Sequence, residues 1–459
     1  VIETEGKAAP LWVRPATILL WLIAAAALFS VASALFVKVP RVNEGWNAIH
    51  ALHAVTRPNL YVFDGYANFP NYPPLAFYPV AWLGLIVGDM VFAGRILALA
   101  GLAVVAVNVA LVARRLEASG WLAAIAYLVL TLGMAQYYVG SSDPQFFGHA
   151  LQTTALALLL GRRTAPGIIA AAILCVLGGL VKPNLVAVPL AATVWLAVVD
   201  RRALLTWLAT ALAASVAAVA ICYVAFGSAV FEQVLGHERV YRLDLIVASI
   251  RWMGGYLPLA AAALWLTIRQ WQDEPVLLLG FYLVIALVAG LVFAGGVGVN
   301  LNTYFDVAIA AAPLGLAAIL RMRPKTHLAM LSVVGVTIAY LGVTSTRSYL
   351  NRWHAPADAA SYATAVATLA ALPGPAFCND LILCYWAGKE SIVDRSNTAQ
   401  KLLAGPDGVA AFEAAFSADP PAVIQLDADD DGIVARSVSK FLDDYTVVTE
   451  DPIRILVRN

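Results

Sequence analysis

The chain has 459 residues, 61% of them hydrophobic and only 13% charged, with 29 basic and 29 acidic side chains and a formal net charge of zero. Soluble domains carry about 25% charged residues, so a water-soluble globule of this length could not cover so much apolar surface. No long basic or acidic tract points to nucleic acid, and no short-period repeat or low-complexity linker is visible.

The stretch from Ala16 to Val37 holds no ionisable residue and as a helix is about 33 Å long, enough to cross the hydrocarbon core. A cleavable signal peptide is disfavoured, because the run is too long and further apolar runs follow. Lys7 and Arg14 precede it, which places the N-terminus in the cytoplasm. Basic punctuation then falls at Arg114-Arg115, Arg162-Arg163, Arg201-Arg202, Arg269 and Arg321 with Arg323 and Lys325. If each is cytoplasmic, further spans fall at 92–113, 121–139, 146–161, 166–181, 185–199, 203–226, 255–270, 276–294, 303–320 and 327–345. With the first helix this makes about eleven spans, an odd number that puts the C-terminal end outside. Pro74 to Gly88 is too short to span and reads as an in-plane or re-entrant helix, with Phe77, Tyr78 and Trp82 suited to the interface. Two long loops, 41–91 and 227–254, face outward and are read as ordered.

The expected fold is thus a polytopic α-helical membrane domain over 1–345, with in-plane helices, and a small α/β domain over 346–459. In the latter, helices are expected at Pro356–Leu372, Asp380–Ala387, Gly408–Ala418 and Ile433–Phe441. Strands are expected at Ala376–Asn379, Ser391–Asp394, Ala422–Gln425, Tyr445–Thr449 and Ile453–Val457. The acidic run Asp427–Asp431 lacks the spacing of a calcium loop and reads as a solvated turn. Cys175 and Cys222 read as packing residues in apolar helices. Cys378 and Cys384 could form a disulfide in an oxidising compartment if a turn brings them together.

The topology gathers the polar residues at the outer surface: Asn43-Glu44, Asp64, Ser141-Ser142-Asp143, Lys182, Glu232, His237-Glu238-Arg239 and Asn300 through Asp306. An acid such as Glu44 just above the bilayer can act as a base in a water-poor pocket. The ordinary alternative is a solvated interfacial acid paired with Arg41. Lys182, at the end of a membrane helix, needs an anionic partner or must snorkel to water. Asp306 falls where a helix begins, and capping is its ordinary explanation.

The order Asn43-Glu44-Gly45-Trp46, Leu60-Tyr61-Val62, Asp64 and Tyr72-Pro73-Pro74-Leu75 resembles the first external loop of the C-type glycosyltransferase superfamily (GT-C). That superfamily includes protein O-mannosyltransferases and the aminoarabinose transferase of lipid A. Its members carry an acidic pair, then Gly and an aromatic, then a loop ending in Pro-Pro-Leu. Gly94-Arg95, Arg114-Arg115, Asp143-Pro144, Gly179-Leu-Val-Lys182-Pro183 and the Tyr304-Phe305-Asp306 element resemble later motifs in the right order. The C-terminal domain, with Pro-Gly-Pro and a strand ending at Asp394, is similar too. The departure is Asn43, where an Asp is usual, which leaves a divalent metal an open question.

The resemblance implies inverting transfer of a sugar from a polyprenyl-phosphate donor to a lipid-linked or cell-envelope acceptor, at the outer face of a bacterial-type inner membrane. Glu44 is the candidate base and Asp143 shares that role or orients the acceptor. Lys182 is the first candidate phosphate ligand, with His237, Arg239 and Arg242 secondary; Arg57 and Arg251 are weaker. Asn43, Asp64, Tyr72, Asn300 and Tyr304 are candidate substrate-loop residues. A transporter or flippase of lipid-linked sugars is the rival reading, and a non-catalytic envelope receptor a third. Transporters place ionisable groups near mid-bilayer and show internal repeats, neither of which is evident here.

Overall fold

The computed structural model describes residues 13–33, 35–41, 43–62, 70–135, 137–161, 163–236, 239–322, 333–337, 340–341, 343, 356–391, 393–427, 432–450 and 453–459. Helix α1 (Val13–Ser33) is followed by an extended segment and by α2 (Glu44–Thr56). A 3-10 turn at Pro74–Ala76 leads into α3 (Tyr78–Val87). The bundle continues with α4 (Met90–Arg115), α5 (Gly120–Met134), α6 (Gln145–Leu159), α7 (Ala165–Val181), α8 (Ala187–Val199) and α9 (Arg201–Phe226). Short helices α10 (Ala229–Leu235) and α11 (Leu243–Ser249) precede α12 (Leu257–Arg269), α13 (Glu274–Ala294) and α14 (Phe305–Arg321).

Helix starts follow local chemistry. Asp89 accepts from the N–H groups of Val91 and Phe92, Ser119 from Leu122, Thr164 from Gly167 and Asp200 from Arg202 and Ala203. Each satisfies donors that a helix N-terminus leaves orphaned. Four helices among the described residues are long and apolar enough to cross a membrane, namely α4, α9, α13 and α14 with the 3-10 turn before it. Shorter apolar helices stand between them. Helix α14 is buried along almost its whole length, whereas α9 displays Leu205, Leu212, Ile221 and Val224 on its surface. Helix α14 is therefore the packed centre of the bundle and α9 a peripheral, apolar-faced member.

Helix α3 has ten residues, about 15 Å, and exposes Trp82, Leu85 and Ile86, in keeping with a segment too short to span. Between Ile250 and Leu257 the chain turns by 90°, so α11 and α12 are not one straight rod. More than half of the expected last span, 327–345, lies outside the described residues, and Asp64, His237 and positions 428–431 of the acidic run lie outside them too.

The C-terminal domain pairs four strands, β1 (Ala376–Cys378), β2 (Val423–Asp427), β3 (Tyr445–Thr449) and β4 (Ile453–Arg458), in the order β1-β2-β4-β3. Only β1 and β2 are parallel. Helices α15 (Pro356–Ala371), α16 (Leu381–Trp386), α17 (Arg395–Ala404), α18 (Pro406–Ala418) and α19 (Ile433–Val438) pack around them. One expected strand is corrected. Ser391 makes a single parallel bridge to Ala376. Asp394, read as the end of that strand, instead caps α17 by accepting from Ser396 and Asn397 at 3.1 and 2.8 Å. Cys378 and Cys384 are joined, their Cα atoms 5.9 Å apart, across the turn in which Asp380 caps α16.

The two domains meet at α2. A Cβ on Gly45 would lie 2.1 Å from the backbone nitrogen of Ile382 and 2.5 Å from the carbonyl carbon of Leu381, so the two helices touch backbone to backbone. Arg57 reaches Glu390 at 2.8 Å, and the indole of Trp386 donates to Asp89 at 3.2 Å.

Candidate active site

Arg95, on the buried face of α4, makes five hydrogen bonds among the described residues. Its guanidinium donates to both carboxylate oxygens of Glu44, at 2.8 and 2.7 Å. The remaining donors go to the carbonyls of Leu35, Val37 and Val39, at 3.0, 2.7 and 2.8 Å, which fastens the segment after α1. Neither Glu44 nor Arg95 is exposed. Glu44 Oε1 also accepts from the backbone N–H of Ser142 at 2.9 Å. The ordinary reading of Glu44, pairing with Arg41, is thus corrected: Arg41 donates to the Gly140 carbonyl instead.

Asn43, where an acid was expected, is exposed and adopts the left-handed conformation, φ 58°. Asparagine tolerates that region better than most residues. Asn47 donates from Nδ2 to the carbonyls of Ser142 and Asn43, at 2.8 and 3.1 Å. Opposite, Gly94 leaves room for the Ser142 hydroxyl, which a Cβ there would meet at 1.8 Å.

These contacts fix the turn that presents Asp143. Its Oδ1 accepts from the Gln145 N–H at 2.8 Å, at the start of α6, and stands 3.6 Å from Lys182 Nζ. Lys182 ends α7, where the helix dipole favours a cation. It is buried rather than snorkelling, with the Tyr72 ring 5.0 Å from its Nζ. Tyr72 is held in turn by Tyr61, whose hydroxyl donates to the Tyr72 carbonyl at 2.8 Å. A buried carboxylate and a buried ammonium thus face one another with a phenol ring beside them.

Deeper in the bundle, Gln145 Nε2 is 3.0 Å from His149 Nε2, and His149 Nδ1 is 3.6 Å from Asp306. Asp306 accepts from the Tyr282 hydroxyl at 2.6 Å. Its capping explanation is corrected, since Tyr304 occupies the cap position and Asp306 points across to α6 and α13. Arg95 was noted only as a helix opener, and Asn47, Gln145, His149 and Tyr282 were missed. The signal for two of them was legible: Gln145, His149 and Gln152 recur at helical spacing in an apolar segment, where buried polar groups are costly.

Other candidates do not converge. Arg242 is exposed and binds Asp244 at 2.6 Å. Arg239 is exposed, its stem running over Gly296. Asn300 caps its own 3-10 turn by accepting from Leu301, and Tyr304 bonds Ser249 at 2.7 Å. Among the described residues, no three His, Cys, Asp or Glu side chains are grouped so as to hold a metal ion. Asp380 of the C-terminal domain sits near Glu44; burial pushes its carboxyl up to about 7, and the charges of Asp427 and Glu44 act in the same direction.

No family model and no curated protein sequence matches the chain. Solved structures do. ArnT from Cupriavidus metallidurans in the apo state aligns over 96% of this chain and 98% of its own, with 15% identity and a TM-score of 0.67. The same protein bound to undecaprenyl phosphate aligns over the same shares with 15% identity and a TM-score of 0.65. An Archaeoglobus fulgidus oligosaccharyltransferase, in complex with Zn and sulfate, aligns over 90% of this chain and 68% of its own, at 13% identity and a TM-score of 0.55. The fold of this protein is therefore one it shares with ArnT and with the archaeal oligosaccharyltransferase.

Proposed function

We propose that the protein is a membrane glycosyltransferase that moves a sugar from a polyprenyl-phosphate donor to an acceptor hydroxyl, with inversion at the anomeric carbon. The observation that carries the reading is the buried Asp143–Lys182 pair, 3.6 Å apart, in a fold shared with a protein solved with undecaprenyl phosphate bound. The eleven-span topology, with loops 41–91 and 227–254 and domain 346–459 on the outer side, belongs to the same proposal.

Asp143 is the better base, and Glu44 is reassigned to positioning. Both Glu44 oxygens are engaged by a buried guanidinium and Oε1 also accepts from the Ser142 N–H, so this carboxylate is committed to holding Arg95 and the Ser142 turn. Among the described residues the polar contacts of Asp143 fall on Oδ1, so Oδ2 is the oxygen we assign to the acceptor. In the proposed step the acceptor O–H bond breaks and its proton passes to Asp143 Oδ2. The freed oxygen pair forms the bond to the anomeric carbon. The bond from that carbon to the phosphate oxygen breaks, and its electron pair leaves on polyprenyl phosphate, whose charge Lys182 offsets.

Binding of undecaprenyl phosphate, followed by native mass spectrometry of the purified protein, tests this reading. Lys182→Met should weaken binding by roughly 10- to 150-fold, the range for losing a charge-assisted contact. Unchanged binding would remove Lys182 from the phosphate site and with it the main support for the donor class.

A further inference from the structure

Two loop segments, 239–242 and 295–297, pair as a short antiparallel ribbon. Tyr241 bridges Gly296, the Arg242 N–H donates to the Gly295 carbonyl at 2.8 Å, and the Val297 N–H donates to the Val240 carbonyl at 2.9 Å. In a regular ladder Val240 would return that bond, because a hydrogen-bonded antiparallel pair exchanges both. Here the return bond runs through a side chain of the C-terminal domain. Gln400, on α17, accepts from the Val240 N–H with Oε1 at 3.0 Å and donates from Nε2 to the Val297 carbonyl at 2.7 Å.

The insertion suits an amide and little else. A carboxamide carries a donor and an acceptor side by side, as a peptide does, so it can splice a ladder without leaving either strand unpaired. A carboxylate of the same size has no hydrogen for Val297, and an aliphatic chain has nothing for either strand. The side chain is held where it is needed. Gln400 is 8% exposed, and α17 is capped at its start by Asp394. Gly298, just after Val297, turns the chain with φ 81°, a conformation that glycine adopts without strain.

The ribbon leads to both side chains of the proposed chemistry. The N–H that Gln400 accepts belongs to the peptide joining Arg239 to Val240, so this bond fixes the backbone from which Arg239 projects. The stem of Arg239 lies over Gly296, where a Cβ would meet its Cδ at 2.8 Å, and its positive charge acts on Lys182. The other strand runs on to Asn302, which donates to Gln145 Oε1 at 3.4 Å, and the Gln145 N–H holds Asp143.

We infer that Gln400 is a positioning residue: the C-terminal domain lends one amide to the ribbon and so holds Arg239 where its charge reaches Lys182. The inference rests on Lys182 being the phosphate site of the proposed transfer, and it makes the soluble domain a working part of that site.

The test is a double-mutant cycle on full-length protein in lipid nanodiscs, with undecaprenyl phosphate binding read by native mass spectrometry. Gln400→Leu keeps the bulk and removes both bonds. It should weaken binding by about 2- to 10-fold, the range for a lost hydrogen bond, and speed hydrogen exchange in the peptide spanning Val240. In an Arg239→Met background the same substitution should leave binding unchanged, since the group it positions is gone. A full-sized effect in that background would mean that Gln400 acts on the fold at large and would overturn the assignment. Unchanged binding or unchanged exchange in Gln400→Leu alone would overturn it too. Gln400→Glu, which keeps the acceptor for Val240 and loses the donor to Val297, carries the same cycle if the leucine variant folds poorly. Binding that needs Lys182 but not Gln400 would sink this inference alone, whereas a wild type that binds no undecaprenyl phosphate would sink the donor site and this inference together.

Discussion

The guanidinium of Arg95 closes on both carboxylate oxygens of Glu44, and neither side chain is exposed. Breaking such a pair from one side leaves a buried charge uncompensated, at a cost of about 3–5 kcal/mol. Glu44→Gln should therefore lower the melting temperature markedly and release the segment 35–41 that Arg95 fastens. Thermal melts in detergent decide the matter. A Glu44→Gln protein that melts like the wild type yet transfers no sugar would return the base to Glu44.

Asp143→Asn tests the proton acceptor directly. The amide keeps the shape and can still accept from the Gln145 N–H, but it takes no proton at neutral pH. Turnover should fall by about 10²- to 10⁴-fold, the usual contribution of a general base. Single-turnover release of polyprenyl phosphate is the measurement, and retention of more than a tenth of the wild-type rate would count against Asp143.

Gly45 and Gly179 should respond in opposite directions to Ala. At Gly45 the added carbon meets backbone of α16 that no rotamer change can move, so α2 and α16 must separate. A loss of both stability and activity is expected. At Gly179, within α7, no atom lies within 4 Å of the added carbon. There the helix should gain about 0.5–1 kcal/mol from lower backbone freedom in the unfolded chain. Parallel melts of the two variants settle whether the interdomain contact is as close as 2.1 Å implies.

The C-terminal domain should lose stability as pH rises from about 4 to 7. Burial pushes the carboxyls of Asp380 and Asp394 up to about 7 and about 6, from an ordinary 3.8. The folded form then binds more protons than the unfolded form between those values, and stability falls with pH across that window. The contribution is complete below the unfolded pKa and gone above the folded one. Asp380→Asn keeps the cap on α16, Asp394→Asn keeps one of the two cap bonds on α17, and both should flatten the dependence relative to wild type, as read from melts at about pH 4.5 and about pH 8. Identical slopes in all three proteins would show that neither carboxyl is so shifted.

Much of the bundle was legible because membrane helices announce themselves locally. Charge ends them, as at Arg114-Arg115, and Asp89, Ser119, Thr164 and Asp200 start them within a turn. The order of Glu44, Asp143 and Lys182 along the chain could be read as well, and the fold brings Asp143 and Lys182 within 3.6 Å. What could not be read was pairing at a distance. Nothing near Glu44 in sequence announces Arg95, and Asp306 looks like a cap until Tyr282 and His149 arrive from other helices. Helix α17 was missed for a different reason: Asp394 reads equally well as a strand end or a cap, and only its bonds to Ser396 and Asn397 decide.

The surface that receives Gly45 is encoded some 340 positions downstream of it, at Leu381 and Ile382. At synthesis rates of about 5–20 residues per second, that separation is a delay of roughly 17–70 s. Throughout it, the helix that begins with Glu44 is already made while the helix it packs against is not. Closure of the α2–α16 contact is therefore a late event in the life of each chain, and a ribosome that stops before the codon for Leu381 leaves the face of α2 at Gly45 uncovered.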